Sequence, residues 1–144
     1  MPRQDPYRNF RFRVEIDGIS TAGFSEVLIG PTTTDVIDYR EGTDPLYVRK
    51  LSGLTKFSNI TLKRGMTPSL DLYKWYRAIS AGQLNGNRKQ VVIVVQDESG
   101  ADQARFVVSE AWPVKYDPSD LDGKGNEVFI ELLELANEGI ERVS

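Results

Sequence analysis

The residues best suited to metal binding lie near the carboxyl end of the chain, at positions 120–123 (Asp-Leu-Asp-Gly), followed by Asn126 and Glu127. Oxygen ligands at alternate positions, with a glycine at the sharp turn, are typical of a calcium-binding loop. However, Pro118 stands where that motif needs an oxygen ligand, and the flanking residues have the pattern of strands instead of helices. We therefore interpret the segment as a solvated acidic turn and predict no metal site.

The glycine motifs that bind phosphates are incomplete. A dinucleotide-binding loop needs a longer glycine motif than the pair Gly123 and Gly125, and this pair is also wrongly placed in the chain for such a loop. Lys63-Arg64-Gly65 lacks the glycine-rich residues that precede the lysine of a P-loop. We interpret Lys63 and Arg64 as the end of a strand with one of the two charges exposed.

The absence of two residue types excludes most catalytic chemistry. The chain has no histidine and no cysteine, so a serine–histidine–aspartate triad, a thiol nucleophile, a disulfide and a zinc–thiolate site are excluded. A carboxylate pair could still hydrolyse a substrate, but Glu131 and Glu134 have opposite parity on a predicted strand and face different sides of it. We predict that the protein is not an enzyme and has no cofactor and no dedicated small-molecule ligand.

Length and charge limit the remaining classes. The 144 residues predict one domain, residues 1–144, with an N-terminal arm at 1–9. The net charge of −3 argues against a dedicated nucleic-acid binder. Residues 1–96 carry 14 basic and 9 acidic residues, a balance of +5, whereas residues 97–144 carry 4 and 12, a balance of −8. This asymmetry is either chance with intramolecular pairing or the mark of a subunit that stacks head to tail.

The start of the chain lacks the apolar stretch of a secretory signal peptide. The longest purely apolar run, residues 91–95, is far too short for a membrane span. We therefore expect the protein to be made in the cytoplasm.

Strict alternation predicts a first strand over residues 10–17, with one apolar face and one charged face. Further strands are predicted at 35–39, 57–62, 90–96, 104–110 and 127–135, with a turn at 97–100 and a loop at 122–126. In the first strand we expect Phe10, Phe12, Val14 and Ile16 to face the core, and Arg11, Arg13 and Glu15 to face away from it.

One helix is predicted between Thr67, a suitable N-cap, and Gly82, a suitable C-cap, with Pro68 at its first position. Its apolar stripe, at helical spacing, predicts that Trp75 and Ile79 pack on the sheets. The stripe comprises Leu72, Trp75, Tyr76 and Ile79. Six or seven strands and one helix predict a mainly β fold: an antiparallel two-sheet β-barrel or sandwich with one flanking α-helix.

The connection over residues 40–56 is too long for a simple turn, and we interpret it as a functional loop. It carries five apolar or aromatic side chains beside a basic cluster, which favours docking on a partner over a loop that folds back on its own subunit. The candidate interface residues are Arg40, Leu46, Tyr47, Arg49, Lys50, Leu51, Leu54 and Lys56.

Six motifs, in order along nearly the whole chain, together resemble a known family. They are Asp-Pro-Tyr-Arg-Asn-Phe at 5–10, leading into the strand and Gly18; Ala-Gly-Phe-Ser-Glu-Val at 22–27; Tyr-Arg-Glu-Gly at 39–42 with Arg-Lys-Leu-Ser-Gly-Leu at 49–54; Ile-Thr-Leu-Lys-Arg-Gly at 60–65; Ala-Trp-Pro-Val-Lys-Tyr at 111–116; and Leu-Glu-Leu-Ala-Asn-Glu-Gly at 133–139. The chain resembles the inner tail tube family of contractile injection systems, found in contractile phage tails and extracellular phage-tail-like particles and related to the Hcp tube. Ser52 and Asn137 depart from the family, which often has proline and histidine there.

The resemblance implies a structural subunit with an Hcp-like tail tube fold. Six copies would form a ring, and rings would stack head to tail into a hollow tube inside a contractile sheath. The implied partners are other copies of the chain, the sheath protein, baseplate and tube-terminator proteins, and cargo carried in the lumen. The implied location is a phage-tail-like particle, either a virion tail or an injection machine that is secreted or anchored to a membrane.

Three alternatives remain at this point. A tube-initiating or baseplate subunit would have the same fold but would not polymerise alone. A monomeric β-barrel that binds a small ligand would need an enclosed apolar cavity. A carboxylate-dependent hydrolase ranks last because no residue cluster supports it.

Overall fold

A computed structural model describes residues 11–19, 24–43, 46–65, 68–118 and 130–144 of the chain. Within these residues the chain forms nine strands and one helix. They are β1 (Arg11–Ile16), β2 (Phe24–Ile29), β3 (Thr32–Tyr39), β4 (Arg49–Phe57), β5 (Ile60–Gly65), α1 (Asp71–Ser80), β6 (Lys89–Gln96), β7 (Asp102–Pro118), β8 (Ile130–Ala136) and β9 (Gly139–Arg142).

Seven of the strands build the body of the molecule in the order β1-β6-β7-β8-β5-β2, with β9 pairing beside β7. All of these pairs are antiparallel. The first part of β7 pairs with β6 and β9, and its second part pairs with β8, so β7 belongs to both halves of a sandwich. The predicted mainly β, two-sheet fold with a flanking helix is confirmed. In the described residues β1 and β2, the two ends of the order, do not pair, so the sandwich is not closed into a barrel.

Strand β7 changes sheets at a bend that the sequence did not reveal. Glu110 has a φ of +53°, in the left-handed region that residues with a Cβ rarely adopt. The register then shifts between Pro113 and Lys115, where Pro113 has no N–H to donate. The predicted strand at 104–110 was therefore too short, because the bend and the proline interrupt the alternation that marks a strand.

Strand β1 has the orientation that its alternation predicts. Val14 and Ile16 are buried, and Phe12 packs partly buried against the same core. Arg11 is exposed, and Arg13 and Glu15 are half-exposed and joined by an ion pair of 2.9 Å. Phe10 lies outside the described residues.

The apolar core lies between the two halves of the sandwich and the helix. Helix α1 contributes Leu72 and Trp75, with Ile79 packed at the margin, as predicted. The indole N–H of Trp75 donates a hydrogen bond to the carbonyl of Asn87 at 2.7 Å, so the polar atom of this buried ring has a partner. The buried strand residues are Val14, Ile16, Ile60, Leu62, Val91, Ile93, Val108, Ala111, Leu133 and Leu135.

The helix is shorter than predicted. It begins at Asp71, and Leu70 occupies the N-cap position without a side-chain hydrogen bond. The predicted N-cap, Thr67, lies outside the described residues. Gly82 follows the last turn with a φ of +87°, and its N–H donates to the carbonyl of Ile79 at 2.9 Å. This is the conformation that favours glycine at the end of a helix, as the sequence predicts.

Other strand predictions also need correction. The strand predicted at 57–62 spans a corner, because Phe57 ends β4 and Ile60 begins β5. The short strands β2 and β9 were not predicted. The strand predicted at 127–135 is found as β8, although residues 127–129, like the predicted loop at 122–126, lie outside the described part of the chain.

A buried ionic network joins the helix to the sheet. Arg64, on β5, places Nε 2.6 Å from Glu131 Oε1 on β8 and Nη2 2.6 Å from Asp71 Oδ1 at the start of α1. The Tyr116 hydroxyl of β7 donates to the other Glu131 oxygen at 2.8 Å. The Arg64 guanidinium carbon also lies 5.6 Å from the centre of the Phe24 ring on β2. One cation thus connects four strands and the helix.

Burial and pairing shift the pKa values of this network. Burial of Asp71 opposes its charge, but hydrogen bonds from Arg64 and Ser69 and the positive charge of Arg64 outweigh burial and lower the pKa of Asp71. Burial of Tyr116, helped by its hydrogen bond to the Glu131 carboxylate and by that negative charge, raises the pKa of Tyr116 to about 12. The neighbouring Lys63 is half-buried and pairs at 3.5 Å with Glu26. The sequence predicted one exposed charge at this strand end, whereas the structure has one buried and one half-buried charge.

Replacing Trp75 with alanine tests the packing of the helix. Trp75→Ala removes a large buried aromatic ring and should lower the free energy of unfolding by about 3–5 kcal/mol. The exposed neighbour Lys74→Ala should change it by no more than about 0.5 kcal/mol. Urea unfolding of both variants checks this, and equal stability of Trp75→Ala and the wild type would contradict the assigned face.

Replacing Arg64 tests the network. Arg64→Met leaves the buried carboxylate of Glu131 without its cation and should destabilise the protein by about 3–5 kcal/mol. Lys63→Met, the matched change at the next residue, removes only a surface pair and should cost at most about 1 kcal/mol. Thermal unfolding in parallel compares the two variants, and similar losses from both would show that the buried network is not important for stability.

Alkaline unfolding tests the Tyr116 hydroxyl. Because the folded-state pKa of Tyr116 is raised from 10.0 to about 12, its stabilising contribution is present below pH 10 and is lost as the pH rises toward about 12. Tyr116→Phe should therefore be less stable than the wild type at pH 7, and the difference should shrink above pH 10. Tyr47→Phe is the control, since it removes an exposed tyrosine hydroxyl between β3 and β4, away from the network of Arg64 and Glu131. Urea unfolding at a series of pH values measures the difference; a constant difference would refute the assignment.

Candidate assembly surface

Strands β3 and β4 form a separate two-stranded antiparallel sheet, called the ribbon below. The ribbon continues the β2–β5 pair beyond the sandwich. Every residue of β3 is exposed, and in β4 only Gly53 and Phe57 are half-buried. An isolated two-stranded ribbon is marginally stable in water, so a surface that covers one of its faces would stabilise it.

The segment 40–56 is not the irregular loop that the sequence suggested, since residues 49–56 lie in β4. The prediction was wrong because a β-bulge hides the strand. Thr34 pairs with Thr55, but Val36 pairs with Ser52, so two residues of β4 lie opposite one of β3. The extra residue breaks the alternation of side chains.

Gly53 packs closely against β3 at this bulge. A Cβ built there would lie 3.2 Å from Asp35 Cβ and 3.2 Å from Ile37 Cγ1, closer than ordinary contacts. A glycine at this position lets β4 bend against its partner strand.

The register gives the ribbon one apolar and one mostly polar face. Ile37 and Leu51 are directly opposite each other, and Leu54 shares their face because it lies next to Thr55, whose pair with Thr34 is on the other face. The exposed fractions of Ile37, Leu51 and Leu54 are 49%, 48% and 73%. These three side chains form the apolar patch of one face, called the apolar face below. The same face also carries Tyr39 and the ion pair of Asp35 with Lys56.

The opposite face is mostly polar. The hydroxyls of Thr34 and Thr55 lie 3.0 Å apart, and the Lys50 ammonium lies 3.3 Å from a carboxylate oxygen of Asp38. The apolar residues of this face are Val36, with 62% of its surface exposed, and the half-buried Phe57 at the end of β4. The two faces thus differ in chemistry, and the apolar face is the one suited to burial.

The structure places all eight predicted interface residues at the surface, but it does not bring them onto one face. Leu51 and Leu54 lie on the apolar face, and Arg49 and Lys56 lie on that side at the two ends of β4. Lys50 lies on the polar face. The remaining three, Arg40, Leu46 and Tyr47, lie in the connection between β3 and β4, and Leu46 is 98% exposed.

The basic residues of the ribbon are partly neutralised within it. Lys56 lies 3.5 Å from Asp35, and Lys50 pairs with Asp38. Both pairs join β3 to β4 at exposed positions, so each contributes little to stability. They are better suited to fixing the register of the ribbon than to attracting an acidic partner over a distance.

Sequence reasoning missed Val36, Ile37 and Tyr39, which it assigned to an ordinary strand. The sequence feature that could have identified them is the pair of adjacent apolar residues, Val36 and Ile37. A strand with one face in the core and one in solvent alternates apolar and polar residues and does not need such a pair. Tyr39 donates a hydrogen bond to Glu41, and this bond, together with slight burial, raises the pKa of the Tyr39 hydroxyl.

Three findings on metal, membrane and ligand sites concern the described part of the chain. Its residues include no cluster of three or more acidic side chains that could hold a metal ion, and no helix there is long and apolar enough to cross a membrane. The acidic turn at 120–127 lies outside that part. An apolar groove of about 310 Å³ reaches the exposed Leu28, so it is not enclosed. Its lining residues are Phe12, Val27, Leu28, Ile29, Ile93 and Val95.

Comparison with known proteins identifies the family. The sequence model of the T4-like virus tail tube protein gp19 matches residues 8–141. None of the curated proteins compared with the chain matches it.

Solved structures agree. A chain in the anti-feeding prophage cap, described as the tube-terminating cap, is 27% identical with a TM-score of 0.83, over 100% of this chain and 95% of that chain. A chain in the sheath–tube complex of the extracellular contractile injection system PVC is 25% identical with a TM-score of 0.80, over 96% of this chain and 92% of that one. Hcp1 from Flavobacterium johnsoniae, 17% identical with a TM-score of 0.60 over 91% and 93% of the two chains, shares the fold.

The resemblance that the six sequence motifs carry is therefore confirmed, including the Hcp-like fold. The family match covers most of the chain and includes both the sandwich and the ribbon. The chain belongs to the family of the T4-like virus tail tube protein gp19.

Proposed function

We propose that the protein is the structural subunit of the inner tube of a contractile phage-tail-like injection system. Six copies form a ring, and the rings stack head to tail into a hollow tube that conducts cargo when the sheath contracts. The observation that carries this proposal is the ribbon, an exposed two-stranded sheet with an apolar face, on a member of a tail tube family. The protein has no enzymatic role in this proposal and uses no cofactor.

The ribbon supplies the contact between subunits. Its apolar face, Ile37, Leu51 and Leu54, docks on a neighbouring copy in the same ring or in the ring stacked against it. Burying a leucine or isoleucine side chain fully is worth about 1.5–3 kcal/mol, and each side chain is still about half or more exposed in the single chain. The surrounding charges, Arg49 and Lys56, set orientation and specificity more than affinity.

A ribbon that docks on a different surface of the next copy makes a heterologous contact. Such contacts form rings when the rotation closes and filaments when it does not. The basic balance of residues 1–96 and the acidic balance of residues 97–144 suit stacking in which unlike surfaces meet.

The charged outer face of β1 suits a wall that faces water. Arg13 pairs with Glu15 at 2.9 Å and with Asp102 of β7 at 3.4 Å. Positive and negative side chains therefore alternate on this surface. A surface with mixed, paired charges does not hold a passing cargo by a strong field of one sign. We infer that this face of the sandwich is in contact with water or with cargo in the assembled tube.

The proposed partners follow from the assemblies in which similar chains occur. One is a sheath–tube complex and another is a tube-terminating cap. We infer that this chain contacts a contractile sheath protein along the tube, and baseplate and tube-terminator proteins at its ends. It then acts as part of a phage-tail-like particle.

One observation favours a second candidate. The chain in the tube-terminating cap is as similar to this one as the chain in the sheath–tube complex. A terminator or initiator subunit would use the same ribbon to bind the end of an existing tube, but it would not polymerise by itself.

A pair of adjacent substitutions in β4 tests the docking role of the ribbon. Leu51→Asp puts a charge on the apolar face, whereas Ser52→Asp puts the same charge on the polar face. Losing about 2–3 kcal/mol at each contact should raise the protein concentration needed for Leu51→Asp to assemble at least about 30-fold. Ser52→Asp should assemble like the wild type, and both variants should keep the wild-type melting temperature because the ribbon lies outside the core.

Electron microscopy and sedimentation of the wild type and both variants measure the outcome. Six-membered rings or stacked tubes of the wild type, absent for Leu51→Asp, support the proposal. Equal assembly of the two variants would show that the apolar face is not the contact. A wild type that stays monomeric, yet binds the ends of tubes formed by a relative, would favour the terminator candidate.

A further inference from the structure

The two arms of the ribbon leave the sandwich at a tight corner. One arm passes through Gly30 and Pro31 between β2 and β3, and the other through Ser58 and Asn59 between β4 and β5. The carbonyl of Pro31 accepts two hydrogen bonds from Ser58, one from the backbone N–H at 3.3 Å and one from the hydroxyl at 2.8 Å. The two arms are therefore joined to each other at the point where the direction of the ribbon is set.

Close packing also restricts this corner. A Cβ built on Gly30 would lie only 2.5 Å from Ser58 Cβ, a distance that real side chains do not adopt. Any larger residue at position 30 must push the two arms apart. Glycine is required here for close approach and not for an unusual φ.

Asn137, in the turn between β8 and β9, ties the corner to the sandwich. Its Nδ2 donates to the Ser58 carbonyl at 3.0 Å, and its Oδ1 accepts the N–H of Gly139 at 3.1 Å. A second, weaker link joins Asn59 Nδ2 to Glu134 Oε2 at 3.5 Å. The amide of Asn137 thus uses one end to shape its own turn and the other end to hold the ribbon.

The turn that carries Asn137 is itself anchored. The backbone N–H of Glu138 donates to the Ser109 carbonyl at 3.0 Å, and its carboxylate lies 3.1 Å from Arg88, which precedes β6. Movement of this turn is restrained by β7 and by the connection after α1. Because this turn is anchored to the sandwich, the hydrogen bond from Asn137 holds the corner of the ribbon in place relative to the sandwich.

We propose that Asn137 is a positioning residue that fixes the direction in which the ribbon leaves the sandwich. The benefit of this positioning rests on the proposed function, because a ribbon that is already held in its docking direction loses less conformational freedom on assembly. The direction of the ribbon relative to the sandwich can be measured in the single subunit, without assembly. Asn137 makes no contact with a partner in this account and acts only through Ser58.

The variant Asn137→Asp isolates the proposed bond. The aspartate keeps the oxygen that accepts the Gly139 N–H, but it lacks the donor to Ser58 and places a carboxylate oxygen against that carbonyl. The matched control is Asn87→Asp, which removes an amide donor to another backbone carbonyl, that of Gln83, away from the corner.

Distances between two spin labels report the direction of the ribbon. Because the chain has no cysteine, labels on Thr43→Cys, beyond the end of β3, and Lys74→Cys, on α1, are the only ones attached. Dilution with excess unlabelled protein restricts the measurement to distances within one copy. The labelled protein without further changes and its Asn87→Asp variant should give one narrow distribution of distances. Asn137→Asp should give a broad or displaced distribution while it remains folded at the temperature of the measurement.

An unchanged narrow distribution in Asn137→Asp would overturn the inference, whatever happens to assembly. A broadened distribution with normal yields of tubes would support the inference and contradict the docking role of the ribbon. If Asn137→Asp does not fold, Asn137→Ala replaces it, because it also removes the donor to the Ser58 carbonyl, with Asn87→Ala as the matched control. Equal distributions for that pair would likewise overturn the inference.

Discussion

A two-stranded ribbon cannot bury its own side chains, and this constraint governs the molecule. The sandwich encloses an apolar core between its halves and the helix, but β3 and β4 extend past it with both faces in water. Their apolar residues gain nothing from the subunit's own core. Under the proposed function, a second copy of the chain supplies the surface that covers the apolar residues of this segment. This is the property that a polymerising subunit needs.

The distribution of charge follows the same division. Inside the body, Arg64 is buried and fully engaged, with Glu131 and Asp71 each at 2.6 Å. Such a network is costly to break and holds the helix, β5 and β8 in one arrangement. On the ribbon, charges are exposed and paired loosely across the strands. The body is thus built to stay rigid, while the ribbon has a defined register and a free apolar face.

The sequence predicted those features that depend on regular periodicity. The alternation of β1 and the apolar stripe with Trp75 were both found, because a single repeating face determines them. The strand β4 and the full length of β7 were not predicted, since a bulge at Gly53 and a left-handed residue at Glu110 each interrupt the pattern. The corner was not predictable either: Asn137 and Ser58 are 79 positions apart and meet only in the folded chain.

Hydrogen–deuterium exchange, comparing free subunits with assembled protein, tests the central claim most directly. The account predicts that peptides covering residues 32–39 and 49–57 exchange readily in the free subunit and become protected on assembly. Peptides of β6, in the core, should be protected in both states and serve as the internal reference. Assembled protein in which the ribbon exchanges as fast as in free subunits would contradict the claim that the ribbon is the contact between copies.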